Sequence, residues 1–168
     1  VASQFPAYIP IGGAVGSEPY VDEMTFLSTD ATNVGEFVFF DTADNNVKTC
    51  GADPALILGV QLGNGPASPF IGGALGKPSP YGTNKSLVAI IAPETIVALS
   101  STTTPSLAFV TRAGGLTKVT AGGRNFWQCD TSKTAGTSRF IIMDVDIPNG
   151  IYYVRFKPAN LQGQSVVS

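Results

Sequence analysis

Hydrophobic residues in this chain come in short runs, most of them four to eight residues long by the usual strand measure, and turn residues separate them. Phe37 to Phe40 follows Gly35 and stops at Asp41-Thr-Ala-Asp-Asn-Asn46, where Asx side chains bond their own backbone and reverse the chain. From Met24 onward the series continues at Val47 to Thr49, Leu56 to Leu62, Leu87 to Ala92, Thr95 to Leu99 and Leu107 to Thr111. It ends with Leu116 to Thr120, Asn125 to Cys129, Arg139 to Asp146 and Ile151 to Lys157. The last two flank Asp146-Ile-Pro-Asn-Gly150, whose Asn-Gly step is a hairpin signal. β-branched and aromatic runs at this spacing predict an all-β fold, a small antiparallel barrel or sandwich.

Helix is hard to place. Tyr20 to Val34 lacks proline but is dense in Thr, Ser, Asp and Val, which are indifferent helix formers. Asp53-Pro-Ala-Leu is the one stretch expected to start a short turn.

Two segments fall outside the strand pattern. Residues 1–20 hold three prolines and three glycines among Phe5, Tyr8, Ile9 and Ile11, which predicts an extended arm rather than a helix or central strand. An arm this apolar is expected either to lie on a partner or to fold back over its own domain. Residues 63–84 form a long Gly/Pro loop carrying Phe70, Ile71 and Tyr81, and loops of that length are by default functional. The expected organisation is an arm at 1–20, one β domain at 21–158 and a tail at 159–168.

The chain also echoes itself. Ile11-Gly-Gly-Ala-Val-Gly16 before Pro19-Tyr20 resembles Ile71-Gly-Gly-Ala-Leu-Gly76 before Pro80-Tyr81. Phe37-Val38 and Val47 are spaced like Phe109-Val110 and Val119, and Cys50 and Cys129 follow in the same order. A duplication whose second copy carries extra residues around 83–104 fits these echoes, as does chance repetition of glycine-rich strings.

Composition narrows the function. In 168 residues only 13% are charged, about half the usual ~25%. Such a surface is poorly defended against association, and contact with other chains is expected to cover much of it. The formal net charge is -2 with no basic run, so nucleic-acid binding is not expected. There is no histidine, which removes Ser-His-Asp and Cys-His relays and imidazole zinc ligands. Cys50 and Cys129 fit no zinc spacing, and either one bridge or two buried thiols is open. Residues 1–5 lack a basic signal region, no stretch reaches the ~20 apolar residues of a membrane span, and a soluble chain is expected. It is read as lacking only its initiator methionine or as a processed product.

Candidate chemistry is thin. Gly73-x-x-Gly76-Lys77 fails as a phosphate loop because Ile71 stands where glycine belongs and Pro78 replaces the Ser or Thr. Asp41, Asp44, Asn45 and Asn46 lack calcium-loop spacing and read as a turn. Asp144 and Asp146 share one face of a strand, which suits a polar face better than a glycosidase pair. Trp127, Tyr152 and Tyr153 are either core or interface anchors or, in a carbohydrate-binding module, stacking platforms. No cofactor, metal or catalytic residue is expected, and the chain is not expected to be an enzyme.

The order Val34-Gly-Glu-Phe-Val38, Leu58-Gly-Val60, Leu107-Ala-Phe-Val110, Leu116-Thr-Lys-Val119 and a terminal strand-hairpin-strand at 139–157 resembles head decoration, or cement, proteins of tailed bacteriophages. The resemblance covers roughly 34–158. It implies a small β-rich protein on the outer face of the virion capsid, made in the host cytoplasm. It further implies a homo-oligomer, commonly a trimer, with the major capsid protein as partner. On that reading Phe5, Tyr8, Ile9, Ile11, Phe70, Ile71 and Tyr81 are the expected interface residues. A carbohydrate-binding β-domain of a virion or extracellular protein is the alternative.

Overall fold

The computed structural model describes residues 4–10, 20–27, 29, 31–65, 84–134 and 136–163. The fold is all-β. Among the described residues the strands are β1 (Val21–Thr25), β2 (Phe37–Asp41), β3 (Asn46–Thr49), β4 (Gly59–Gln61), β5 (Lys85–Ile90), β6 (Ile96–Ser101), β7 (Ala113–Ala121), β8 (Arg124–Asp130), β9 (Phe140–Asp146) and β10 (Ile151–Phe156). The first five form a sheet in the order β1-β5-β4-β2-β3, and the second five form a closed barrel, β10-β6-β8-β7-β9.

Sheet and barrel repeat one topology. In the sheet β1–β5, β5–β4, β4–β2 and β2–β3 are antiparallel, and the outer strands are tied by a parallel bridge, Phe26–Val47. In the barrel β6–β10, β10–β9, β9–β7 and β7–β8 are antiparallel, and β8 closes parallel onto β6 at Ser100–Gln128 and Ser101–Cys129. Each strand of the first half therefore has its counterpart in the second.

The hydrogen bonds repeat as well. Before β2, the Glu36 amide donates to Asn33, the Gly35 amide to Gln61 O at 2.8 Å and the Gln61 amide to Glu36 O at 2.9 Å. Before β7, the Arg112 amide donates to Phe109, the Thr111 amide to Ile142 O at 2.8 Å and the Ile142 amide to Arg112 O at 2.9 Å. Leu58 to Val38 is matched by Arg139 to Gly114, both at 2.8 Å.

This register corrects the alignment suggested by sequence. Phe37–Val60 and Val38–Gly59 correspond to Ala113–Ile141 and Gly114–Phe140, so Phe37-Val38 aligns with Ala113-Gly114 and not with Phe109-Val110. The bridge Phe26–Val47 corresponds to Ser101–Cys129, so Val47, not Cys50, aligns with Cys129. The longer connection belongs to the first half: β4 and β5 are joined through 62–84, whereas only 147–150 separate β9 from β10. The repeated glycine strings themselves lie outside the described residues.

Leu107 to Thr111, expected as a strand, is a 3-10 turn at Leu107–Phe109. Ser106 starts it by accepting a hydrogen bond from the Ala108 amide, and the Tyr152 hydroxyl accepts one from the Ser106 amide. Those bonds compete with a ladder and win. The turn expected at Asp53 is not helical, and residues 159–163 of the expected tail are part of the fold, while 164–168 lie outside the described residues. Leu161 is buried, bridges Ile57 in parallel, and is followed by Gln162, whose side chain bonds both the amide and carbonyl of Phe40.

One core runs through both halves. Phe37 of the sheet sits edge-on to Trp127 at 5.8 Å and to Phe156 at 5.5 Å, and Phe156 is edge-on to Phe140 at 5.5 Å. These rings interlock the sheet with the barrel, in the tilted geometry aromatic pairs prefer. A register shift at Tyr153/Val154 places Ile142 opposite Val154 and Asp144 opposite Tyr153, leaving Met143 as a bulge. The bulge moves the inward face of β9 from Phe140 and Ile142 to Val145, and keeps Asp144 outside.

Candidate functional site

The arm segment 4–10 is the described part of the surface that sequence singled out. Tyr8 pairs antiparallel with Ala98, accepting from its amide at 2.7 Å and donating to its carbonyl at 3.3 Å. β8 reaches β6 only at Ser100 and Ser101, so Tyr8 fills the stretch of β6 that β8 leaves open. Ala7 is buried in the core and Ile9 packs against it. Pro6 lies against Gly35, where an added Cβ would stand 2.1 Å from the Pro6 Cβ. The arm is thus clamped between the barrel and the turn that leads into β2.

Of the expected interface residues, the structure brings together Phe5, Tyr8 and Ile9. The Phe5 and Tyr8 rings are 6.3 Å apart, and Tyr8, 38% exposed, lies close to Tyr153. Partial burial raises the Tyr8 phenol above its ordinary pKa, helped by Tyr153 and by the charge of Asp146. Ile9 is spent on the chain's own core. Ile11, Phe70, Ile71 and Tyr81 lie outside the described residues.

The aromatic platforms are corrected by burial. Trp127 and Tyr152 are both 0% exposed, so neither ring can offer a face to a sugar. Trp127 is covered on one side by Phe37 and on another by the Lys118 ammonium, 4.7 Å from the ring centroid. Tyr153 is half-buried and lies close to Tyr8.

The acidic residues are committed to local structure. Asp41 and Asp44 converge on the Lys48 ammonium, which closes the β2–β3 hairpin, and the Lys48 hydrogen bond holds the Asp41 carboxyl below its ordinary pKa. Asp146 accepts from the amide and side chain of Asn149 and so shapes the β9–β10 turn. Cys50 and Cys129 are both buried and not bonded to each other. Burial pushes the Cys50 thiol up to about 12 and raises Cys129 as well.

Two features were not visible in the sequence. Glu36, 1% exposed, lies at the seam between sheet and barrel. One carboxylate oxygen accepts from Asn125 at 2.7 Å and the other has no hydrogen-bond partner. Burial raises its pKa, and the bonds from Asn125 and Asn33 and the charge of Lys118 offset this only partly. Lys118 also donates to the Cys50 carbonyl at 3.3 Å, a second polar tie across the seam. Elsewhere, an open cavity of about 320 Å³ is lined by Pro93, Glu94, Ile141, Arg155, Phe156, Lys157 and Pro158. No local motif marks either feature, because each is assembled from strands far apart in sequence.

Comparison with protein-family models, with curated proteins and with solved structures yields no match to this chain.

Proposed function

We propose that this chain is a structural virion protein, a capsid decoration protein that binds the outer face of a phage head and ties neighbouring major capsid subunits together. It works by contact and not by catalysis. The observation that carries the reading is the seating of the arm. An extended, uncharged segment attaches to a strand by backbone pairing at Tyr8–Ala98 and by inserting Ala7 into a core. In the structure this contact folds residues 4–10 back over their own domain; exchanged between neighbouring copies, the same mode would join one chain to another, since backbone bonds supply affinity and a few side chains supply register. The low charged fraction, 13%, supports it, as does the resemblance of residues 34–158 to cement proteins. On a lattice, many copies make modest contacts sufficient. Enclosure takes Trp127 and Tyr152, two of the three candidate stacking rings, out of reach of a sugar.

The test is to mix purified protein with heads prepared from a phage lacking it and to follow co-sedimentation and cryo-electron microscopy density on the lattice. The expected result is saturable binding at fixed lattice positions and heads that withstand higher temperature. Absence of binding to such heads overturns the proposal.

A further inference from the structure

We infer that the outer edge of β1, centred on Glu23, is a docking slot for an extended basic segment of another protein. The starting point is the repeat of register. Val21–Ala89, Asp22–Val88 and Glu23–Leu87 in the sheet correspond to Ile96–Arg155, Val97–Val154 and Ala98–Tyr153 in the barrel. The neighbouring pairs Val60–Ala89 and Gln61–Val88 correspond to Ile141–Arg155 and Ile142–Val154, which fixes the match independently. Glu23 therefore stands where Ala98 stands, and Ala98 is the residue whose outward amide and carbonyl are taken by Tyr8.

On β1 those groups are turned outward too. The Ile90 amide donates to Tyr20 O and the Phe26 amide to Asn84 O, so even-numbered residues bond β5. In an antiparallel ladder the alternate residues Val21, Glu23 and Thr25 then point their amides and carbonyls away. Among the described residues β3 reaches this side only at Phe26. The Glu23 amide is held by its own neighbour, the Asp22 carboxylate, at 2.8 Å in an exposed position. The same edge carries Tyr20, 68% exposed, Val21, 40%, and Leu27, 38%. Among the described residues no other strand takes the Val21 backbone or the Glu23 carbonyl from this side, and such an edge, flanked by apolar side chains, is a template for another strand.

Charge selects the occupant. Lys85 answers Glu23 at 3.0 Å, and among the described residues no cation answers Asp22. A Lys or Arg on the incoming strand would draw Asp22 away and release the Glu23 amide for pairing. A second copy is disfavoured, because antiparallel pairing of two β1 edges about Glu23 sets two glutamates directly opposite. The slot is argued from the fold alone and stands whether or not the chain decorates a capsid.

The test uses the intact, isotope-labelled chain with the heptapeptide KVKVKVK and its acidic counterpart EVEVEVE, read by amide hydrogen exchange and chemical shift. KVKVKVK at millimolar concentration is expected to slow exchange at Val21 and Glu23 by about fivefold or more while leaving Ala98 unchanged, and the acidic peptide is expected to do neither. Glu23→Pro, folded by the criterion of unchanged Trp127 emission, is expected to abolish protection at Val21. Asp22→Asn, which leaves the backbone intact, is expected to weaken KVKVKVK binding by about threefold or more. Protection of neither amide, or equal binding of both peptides, overturns the proposal. Self-association of the peptide-free chain through the same amides overturns it too, by making the occupant a second copy.

Discussion

Gly35 and Thr111 hold one position in the two halves of the molecule. Each adopts positive φ, 84° and 71°, each lies two residues ahead of a second strand, and each donates its amide to the matching fourth strand. Glycine adopts that conformation without strain, and a β-branched residue does so only at a cost. The two positions differ in their surroundings: Pro6 leaves no room for a Cβ at 35, while Thr111 is exposed. Gly35→Ala is expected to lower stability by about 2 kcal/mol and to loosen the arm. Thr111→Gly is expected to be neutral or to raise stability by up to about 1 kcal/mol. Urea denaturation and limited proteolysis near Tyr8 check both.

Glu36 gives the stability a pH signature. Its folded-state pKa lies above the ordinary carboxylate value, so the ionised side chain weighs against folding at neutral pH. That penalty disappears as pH falls through the raised value toward the unfolded one. Asp41, with a lowered pKa, runs the other way: it adds stability above the ordinary value that is lost only as pH falls through its folded pKa. Glu36→Gln is therefore expected to match or exceed wild-type stability at pH ~7, with the difference shrinking by pH ~4. Parallel denaturation curves at the two pH values read this directly, and a Gln variant that is less stable at neutral pH and no better in acid contradicts it.

Cys50 and Cys129 should behave as core atoms. With both thiols buried and raised, an aromatic disulfide reagent at pH ~8 is expected to label neither in the native protein and both after unfolding. Rapid labelling of either thiol in the folded protein would show that its enclosure is incomplete.

Trp127 is the chain's single tryptophan and serves as its own reporter. Enclosed by Phe37 and Lys118, it is expected to emit at short wavelength and to shift red on unfolding. Trp127→Ala is expected to cost about 3–5 kcal/mol through the cavity it leaves. Glycans added to the wild-type protein are expected to leave the emission unchanged. Fluorescence titration and thermal denaturation measure these effects.

The strands legible in the sequence were those with strong local patterns: Phe37 to Phe40, Leu87 to Ala92 and the terminal hairpin each contain β-branched or aromatic runs beside a turn signal. β1 escaped notice because Val-Asp-Glu-Met-Thr carries two acids on a half-exposed strand, and its partners lie sixty or more residues away in β5. Leu107 to Thr111 misled because its apolar residues serve a turn held by Ser106 and Tyr152. The internal repeat was legible only faintly. Topology and backbone bonding repeat, but Phe37-Val38 faces Ala113-Gly114 in the alignment, so side-chain identity has not followed. Of the candidate surface, the sequence located the arm through its prolines and aromatics. It could not reveal Glu36 or the open edge at Glu23, which exist only once distant strands are paired.

Segments at both extremes of the described residues are fastened to the opposite half. Near the beginning, Tyr8 is bonded to Ala98 on the barrel, while near the end Asn160 and Gln162 bond to Ile57 beside the sheet. A nascent chain therefore holds its first strands without these partners until residues 160–162 have been made. The N-terminal half cannot be locked early and left behind, so a chain truncated shortly before Leu161 would lose part of its first sheet's support.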